Sequence, residues 1–301
     1  MNIGIDLGGS HIAIGVVDNN GIIIEQIQRR ILEEEKKNII EFIQKYIVEN
    51  TKKLKEKYNI NSIGIAIPGT LNKEEIIKSV NLGIENYNIV KALQKYIKLP
   101  IKIKNDAKCA ALAEKQYGIL KKYNNSIFLT LGTGIGGAAI VNNNLFETGP
   151  LPGCEFGHMI IEKNGLECKC GQKGCFERYA SMKALKNKLR NELGLEQTTR
   201  GQELLDMIRN NKIENKNYNK IEKVVNEYIE NLSIGIANLV NIFEPEAIGI
   251  GGSFVYFEDV LLERLKNNII KKDMLFNSRS KIIIETAILG NDAGIIGATL
   301  I

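Results

Sequence analysis

The sequence contains no tryptophan and, among its 301 residues, only five prolines, five cysteines and two histidines. So few and so unevenly placed cysteines exclude a disulfide-stabilised mini-protein. No uncharged apolar run approaches the roughly 18 residues of a membrane-spanning helix. Apolar residues make up 44% and charged residues 25% of the chain, which excludes a disordered chain or a coiled coil. At about 150 residues per domain, the length predicts two domains.

Excess charge is also scarce, because 40 Lys and Arg against 35 Asp and Glu leave a net charge of only +5. The surplus lies along helices, as at 52–57, and is typical of a solvated helix face rather than a nucleic-acid-binding stripe. Residues 1–9 lack a basic segment and include Asp6, so we expect no signal peptide and a cytoplasmic protein. In a reducing compartment, an odd number of cysteines favours a metal site or buried thiols.

The first thirty residues predict three strands around a glycine-rich turn. Ile3–Ile5 and Ile12–Val17 flank the turn Asp6–Ser10, and a hairpin signal, Asn19–Gly21, follows. A strand follows the turn where a Walker A loop or a dinucleotide fingerprint needs a helix, so neither motif fits. The pattern recurs at 126–145 and predicts a duplicated strand–turn–strand unit.

Alternating strands and helices elsewhere predict an α/β protein with mixed sheets. No linker rich in proline or serine occurs, so we expect two domains that share crossing segments. This predicts a small α/β domain, 1–118 with 291–301, and a large α/β domain, 119–290. We expect helices at 32–58, 90–97, 106–117 (stopped by Gly118), 177–193, 218–242 and 293–300, and further strands at 62–67, 101–103, 247–250 and 282–285.

Two glycine turns of this kind can hold a polyphosphate, because glycine lets backbone N–H groups approach the phosphate oxygens. Either turn alone could be only a tight hairpin, but the pair favours phosphate binding. Asp6, at the edge of the first turn, is placed to bind Mg²⁺ directly or through water. Asp106 begins a predicted helix and is either its N-cap or a general base. As a base it would be ionised at neutral pH and accept a hydroxyl proton during phosphoryl transfer.

The sharpest pattern is one histidine followed by three cysteines with the spacing of a zinc site: His158, Cys168, Cys170 and Cys175. Three thiolates and one imidazole fill a tetrahedral shell, so the zinc would be structural rather than hydrolytic. Gly171 and Gly174 allow a tight knuckle. The alternatives are unrelated buried cysteines, or a nucleic-acid zinc knuckle, which the low net charge disfavours. Glu155 and Glu177 flank the cluster and could be fixed acceptors for sugar hydroxyls.

Five segments of the chain, in this order along it, resemble the ROK family (repressor, open reading frame, kinase). They are Asp6–His11, Asn105–Ala107, Leu131–Gly137, Glu155–His158 and Cys168–Glu177. The resemblance covers essentially the whole chain, and its most specific part is the cysteine cluster preceded by Glu-x-Gly-His. Ser10, Cys154 and Ala138 depart from the family pattern. None removes a catalytic group, although Cys154, where glycine is usual, could reshape the pocket wall.

The resemblance implies an actin-like ATPase (ribonuclease H-like) fold, with two α/β domains and a cleft between them. It also implies phosphorylation of a hexose, usually at the 6-hydroxyl, with ATP and Mg²⁺, and commonly a homodimer. Asp106 resembles the catalytic base, and one ring nitrogen of His158 would bind zinc while the other reaches a sugar hydroxyl. The remaining implied contacts are Gly69, Asn81, Asn105, Glu155, His158 and Glu177 for the sugar, Gly8, Gly9, Ser10, Thr133 and Gly134 for phosphate, and Gly251 and Gly252 for adenosine.

Glucose is the expected substrate, because the run Glu177–Ser181 after the knuckle resembles glucokinases. N-acetylmannosamine and N-acetylglucosamine kinases share the same framework, as do kinases of allose or mannose, so these remain alternatives. A non-catalytic sugar sensor on the same fold is a further alternative. The repressors of the family carry a helix-turn-helix module before the first glycine turn, which here starts at Asp6. We therefore expect a hexose as partner, and neither nucleic acid nor a membrane.

Overall fold

The chain forms two compact units, which are described here from a computed structural model of residues 1–147, 149, 153–211, 216–271, 275 and 282–301. Unit 1 consists of Met1–Lys122, Leu145–Gly153 and Ile288–Ile301, and unit 2 of Tyr123–Asn144 and Cys154–Ala287. Our sequence-based division has its boundaries at 118 and 290, and it has no counterpart of Leu145–Gly153 in the small domain. Among the residues described, no helix combines the length and the apolar character needed to cross a membrane.

Groups of strands and groups of helices follow one another along the chain. In chain order they are β1 (Asn2–Leu7), β2 (His11–Val17), β3 (Ile23–Arg30), α1 (Glu33–Lys36), α2 (Ile39–Lys57), β4 (Ile63–Ile67), β5 (Thr70–Leu71), β6 (Ile76–Ser79), β7 (Ile84–Tyr87), α3 (Ile89–Gln94), β8 (Ile101–Asn105), α4 (Asp106–Tyr117), β9 (Ser126–Leu131), β10 (Ile135–Val141), β11 (Asn144–Leu145), α5 (Glu177–Ala180), α6 (Met182–Leu193), α7 (Gly201–Arg209), α8 (Tyr218–Phe243), β12 (Ala247–Gly251), α9 (Glu258–Lys271), β13 (Ile283–Thr286) and α10 (Ala293–Ala298). Short 3-10 helices occupy Phe156–His158, Gly252–Phe257 and Gly290–Asp292.

Unit 1 is built on a five-stranded sheet of order β3-β2-β1-β4-β8. β2 is antiparallel to β1 and β3, whereas β1, β4 and β8 are parallel. One face buries Ile3, Ile5 and Ile65 in an apolar core with Ile43 and Ile47 of α2. Each such side chain contributes about 1.5–3 kcal/mol through its removal from water, so this face fixes the register of the strands.

The opposite face of this sheet packs against α4 and α10. The approach to α10 is so close that a side chain at position 4 or 64, both glycine, would collide with the backbone of Ile295 or Ala298. Asp6 lies on the same face, since a Cβ on Gly294 would lie 2.7 Å from its carboxylate. The sheet therefore presents an acidic side chain at the end of an otherwise tightly packed surface.

A buried carboxylate lies near the end of α4. Glu114 is fully buried, and its Oε2 accepts the N–H of Ile119 at 3.1 Å. Its Oε1 accepts the N–H groups of Ile288 and Leu289 at 3.0 and 2.9 Å. Gly118 ends the helix as predicted, although its φ of −114° is not left-handed. Glu114 thus ties the first stretch of unit 1 to its last stretch.

Unit 2 repeats the sheet order of unit 1, as β11-β10-β9-β12-β13. β10 is antiparallel to β9, and β12 is parallel to both β9 and β13. The first glycine turn joins β1 to β2, and the second joins β9 to β10. The duplicated architecture predicted from the two turns is therefore confirmed.

The core of unit 2 lies between this sheet and its helices, with α8 as the longest of the described helices. Leu232 and Ile236 of α8 are fully buried. Phe176, also fully buried, packs so closely on α8 that a side chain at Gly235 would collide with its ring. Phe176 therefore anchors the segment that follows the cysteine cluster.

Two predicted helices are wrong in their continuity. The helix predicted at 32–58 is divided at Lys37 and Asn38 into α1 and α2. The helix predicted at 177–193 is divided at Ser181, whose backbone is extended and whose hydroxyl accepts the Ala184 N–H at 3.1 Å. A serine cap of this kind starts a new helix. Sequence reasoning also missed α7, α9 and the small antiparallel sheet β5-β6-β7.

Candidate active site

The first glycine turn is closed by a hydrogen bond from Gly8 N–H to the His11 carbonyl at 2.9 Å. A Cβ on Gly8 would lie 2.6 Å from the His11 ring, and one on Gly9 would lie 2.9 Å from the Asn81 carbonyl. Position 9 therefore requires glycine, whereas a side chain at position 8 would displace the exposed His11 ring. Ser10 completes the turn and is exposed. Unit 1 thus brings Asn81, predicted to contact the sugar, against the turn predicted to contact phosphate.

Two carboxylates lie near each other in unit 1. Burial first, and then the negative charge of Asp106, raise the pKa of Asp6 from 3.8 to about 7. Burial likewise raises the pKa of Asp106, although backbone N–H groups oppose the shift. His11 Nε2 lies 4.0 Å from Asp6 Oδ2. Neighbouring carboxylates with raised pKa values are a donor set that fits a hard divalent cation such as Mg²⁺.

Asp106 stands where β8 gives way to α4. The N-cap of α4 is Asn105, whose Oδ1 accepts the N–H groups of Ala107 at 3.0 Å and Lys108 at 3.3 Å. Its Nδ2 donates to the Gly69 carbonyl at 3.1 Å, which places Gly69, Asn105 and Asp106 together. Because Asn105 caps the helix, capping does not by itself account for an aspartate at position 106.

On α4, a buried lysine that no local pattern identified is paired inside unit 1. Lys108 is only 3% exposed, and its Nζ lies 3.1 Å from Glu147 Oε1. Lys104 Nζ lies 2.7 Å from Glu147 Oε2. Burial alone would raise the pKa of Glu147, but the two ammonium groups lower it. This pairing fixes Glu147, in the middle stretch of unit 1, against the elements that carry Asn105 and Asp106.

In unit 2, the four predicted zinc ligands form one cluster, with all their ligand atoms within 4.8 Å of one another: His158, Cys168, Cys170 and Cys175. The Cys170 and Cys175 sulfurs are 3.6 Å apart, and the Cys168 sulfur is 3.7 Å from His158 Nδ1. A tetrahedron with zinc–sulfur bonds of about 2.3 Å has edges of about 3.8 Å, so these separations fit zinc. Gly171 and Gly174 have φ of +94° and +79°, which confirms the tight glycine knuckle.

The histidine of this cluster is oriented for two contacts. His158 presents Nδ1 to the cysteines, which leaves Nε2 as the nitrogen that the predicted sugar contact would use. It ends a 3-10 helix that Glu155 precedes. Cys154, immediately before, has a left-handed φ of +63°. A left-handed backbone strains cysteine more than glycine, which explains why glycine is usual at this position in the family pattern.

The second glycine turn lies between β9 and β10, where Gly132 N–H donates to the Gly134 carbonyl at 2.9 Å. Thr133, at its tip, is exposed. Gly251 and Gly252 adjoin this region, since a Cβ on Gly252 would lie 2.6 Å from the Leu131 carbonyl. Unit 2 therefore brings the two predicted adenosine contacts close to the second glycine turn, which carries Thr133 and Gly134 of the predicted phosphate contacts.

Glu177 makes a contact that sequence reasoning missed. Its Oε2 accepts the N–H of Ile135, at the end of the second glycine turn, at 3.0 Å. The residues are 42 apart in the chain, so no local pattern could reveal the bond. His11 was also missed as a side chain of the first turn. Strand alternation could have placed it on the face of Asp6.

Comparison with known proteins connects these residues to a family. The sequence model of the ROK family matches residues 2–301. The xylose repressor of Bacillus spizizenii is 30% identical over 273 residues, which cover 89% of this chain and 68% of that protein. The glucokinase of Thermotoga maritima is 27% identical over 316 residues, covering 99% of this chain and 96% of that protein.

A solved structure resembles the whole chain. The ROK family glucokinase from Streptomyces griseus, in complex with glucose and AMPPNP, superposes with a TM-score of 0.81 at 26% identity. The match covers 99% of this chain and 97% of that one. Together with the repeated sheet order, this similarity confirms the predicted actin-like ATPase fold. With a family match that runs from residue 2 to residue 301, the chain belongs to the ROK family.

Proposed function

We propose that this protein is an ATP-dependent hexokinase that phosphorylates the 6-hydroxyl of glucose. The observation that carries the proposal is the placement of Asp106. Its carboxylate lies near Asp6, and it is not needed to cap α4, because Asn105 provides that cap. A similar protein binds glucose and AMPPNP, an analogue of the ATP that this reaction uses.

Asp106 acts as the general base in the proposed reaction. Its carboxylate takes the proton of the sugar 6-hydroxyl while the hydroxyl oxygen bonds to the γ-phosphorus of ATP. The bond from the γ-phosphorus to the bridging oxygen breaks, and ADP leaves with that electron pair. The raised pKa of Asp106 favours this role, because a more basic carboxylate is a better acceptor for the hydroxyl proton.

The glycine turns hold the donor in this proposal. Gly8, Gly9 and Ser10 in unit 1, and Thr133 and Gly134 in unit 2, direct N–H and hydroxyl groups at phosphate oxygens. Gly251 and Gly252 contact the adenosine. Asp6 holds Mg²⁺, which when bound offsets the charge of the phosphates.

The zinc knuckle orients sugar-binding groups. His158 would hold zinc through Nδ1, and this would fix its ring so that Nε2 meets a sugar hydroxyl in one orientation. Glu155 and Glu177 accept hydrogen bonds from further sugar hydroxyls, and Asn105, Gly69 and Asn81 complete the sugar contacts. The bond from Ile135 to Glu177 Oε2 leaves Oε1 as the oxygen for the sugar.

A second candidate is a sugar-responsive regulator without catalysis. The 30% identity to a xylose repressor favours it, because that protein is matched over 89% of this chain. The two candidates differ in ATP turnover. A kinase releases ADP when given its sugar, whereas a regulator binds a sugar, such as xylose, without releasing ADP.

A coupled ADP-release assay tests the proposal with glucose, mannose, allose, fructose, N-acetylglucosamine, N-acetylmannosamine and xylose. We expect turnover to be highest with glucose. Asp106→Asn should reduce kcat by several decades while glucose still binds, since the base is lost but the sugar contacts remain. Asp206→Asn, at an exposed carboxylate, is the matched control. Turnover of Asp106→Asn within tenfold of the wild type would exclude the base assignment, and no turnover with any sugar would favour the regulator.

A further inference from the structure

The second glycine turn is held at both ends by the segment that follows the zinc knuckle. At one end, the Ile135 N–H donates to Glu177 Oε2 at 3.0 Å. At the other, the Lys183 N–H donates to the Gly132 carbonyl at 3.1 Å. The turn between these two bonds is Gly132–Gly134. Its shape therefore depends on residues more than forty positions away in the chain.

The Glu177 carboxylate lies directly against the turn. A Cβ on Gly134 would collide with Glu177 Oε2, so the glycine and the carboxylate occupy adjoining space. Ile135 pairs with Leu131 across the hairpin, and its N–H is directed to the carboxylate. A charged acceptor makes this a stronger hydrogen bond than one to a neutral carbonyl.

Glu177 is itself rigidly placed. Phe176, its neighbour, is fully buried against Gly235 of α8. On the other side, Ser181 caps α6 and directs the Lys183 N–H toward the turn. A residue whose backbone is held on both sides can impose a position on the turn, rather than follow it.

The same strand end also contacts the segment of the other proposed sugar ligands. A side chain at Gly157 would collide with the Ile135 carbonyl, so the 3-10 helix that ends at His158 packs directly on this residue. Ile135 therefore meets the Glu177 segment through its N–H and the His158 segment through its carbonyl.

We infer that Glu177 is a positioning residue for the donor's phosphate turn, in addition to being a sugar ligand. The inference rests on the proposed function, which assigns the turn to the phosphates of ATP. Loss of the carboxylate leaves the Ile135 N–H without its acceptor, and the turn loses one of its two fixed ends. Nucleotide binding should therefore depend on Glu177 even when no sugar is present. A residue that touches only the sugar would not have this effect.

The test is calorimetric titration of the full-length zinc-loaded protein with Mg²⁺–AMPPNP, without any sugar. We expect Glu177→Ala to weaken AMPPNP binding at least tenfold. Glu177→Gln should bind within threefold of the wild type, because its amide oxygen can still accept the Ile135 N–H. Glu167→Ala is the matched control, since Glu167 lies on the knuckle with an 84% exposed side chain and pairs only with Lys173 among the described ion pairs.

Gly134→Ala provides a second test that does not remove the carboxylate. Its methyl group displaces Glu177 Oε2, so AMPPNP binding should weaken even if Glu177→Ala does not fold. If Glu177→Ala binds AMPPNP as tightly as the wild type, the inference is overturned. If Glu177→Ala does not fold, wild-type affinity in Gly134→Ala overturns it instead. Either result leaves the kinase proposal intact. Failure of the wild type itself to bind AMPPNP without sugar overturns the inference, and the ADP-release assay with sugar decides the kinase proposal separately.

Discussion

Replacing Asp6 by asparagine should make the protein more stable at neutral and higher pH. The folded protein raises the pKa of Asp6 from 3.8 to about 7, chiefly through burial and then through the charge of Asp106. At a pH between these two pKa values, Asp6 holds a proton in the folded chain and releases it in the unfolded chain. Stability therefore falls as the pH rises through this window. Asparagine stays neutral and avoids the penalty.

The size of the effect follows from the shift in pKa. A difference of 7 − 3.8 units, at about 1.4 kcal/mol per unit, sets an upper limit of about 4 kcal/mol. The Asp6 side chain is still 22% exposed, so water screens part of this cost. We therefore expect Asp6→Asn to raise the free energy of unfolding by about 2–4 kcal/mol at pH 8. At pH 5 the gain should fall below half of that value, because most of the penalty accrues above this pH.

Urea unfolding followed by circular dichroism, in buffer without Mg²⁺, measures both values. Asp259→Asn is the control, because Arg209 lowers the pKa of Asp259 and its replacement should not stabilise the protein at pH 8. Adding Mg²⁺ should stabilise the wild type but not Asp6→Asn, since a cation on Asp6 favours the ionised form. A variant no more stable than the wild type at pH 8, or a gain independent of pH, would refute the reasoning.

Two further predictions concern the zinc cluster and Glu114. Purified protein should contain one zinc per chain by mass spectrometry. Chelation should lower both the melting temperature and the glucose affinity, because structural zinc contributes on the order of 10 kcal/mol to local folding. An unchanged melting temperature and glucose affinity after confirmed zinc loss would contradict the zinc assignment. Glu114→Ala should lower the free energy of unfolding by about 3–5 kcal/mol, because three N–H groups lose a buried charged acceptor. Glu33→Ala, at an 88% exposed side chain, should change it by less than about 0.5 kcal/mol, and equal effects of the two would contradict this account.

The sequence predicts those parts of the site that depend on local chemistry. The two glycine turns and the four zinc ligands follow from spacing alone, and the structure gathers the ligands into one cluster. The break at Ser181 was missed because the apolar pattern continues through it, although a serine before a helical run is a local cap signal.

Long-range contacts could not be predicted in this way. The bond between Glu177 and Ile135 depends on how the knuckle packs on α8, and the pairing of Lys108 with Glu147 joins residues 39 apart. Neither partner carries a pattern that names the other. A buried lysine in a helix therefore looks like an exposed one until its acid is located in space.

The location of α10 has a consequence for the order in which the protein is made. α10 covers the face of the unit 1 sheet that carries Asp6, and Gly4 and Gly64 admit its backbone. The ribosome adds α10 only after every residue of unit 2. Unit 1 therefore begins synthesis first but completes its fold last, and the burial that α10 gives to Asp6 is absent until the end of translation. The emerging protein cannot assemble its full acidic site before the rest of the chain has been translated.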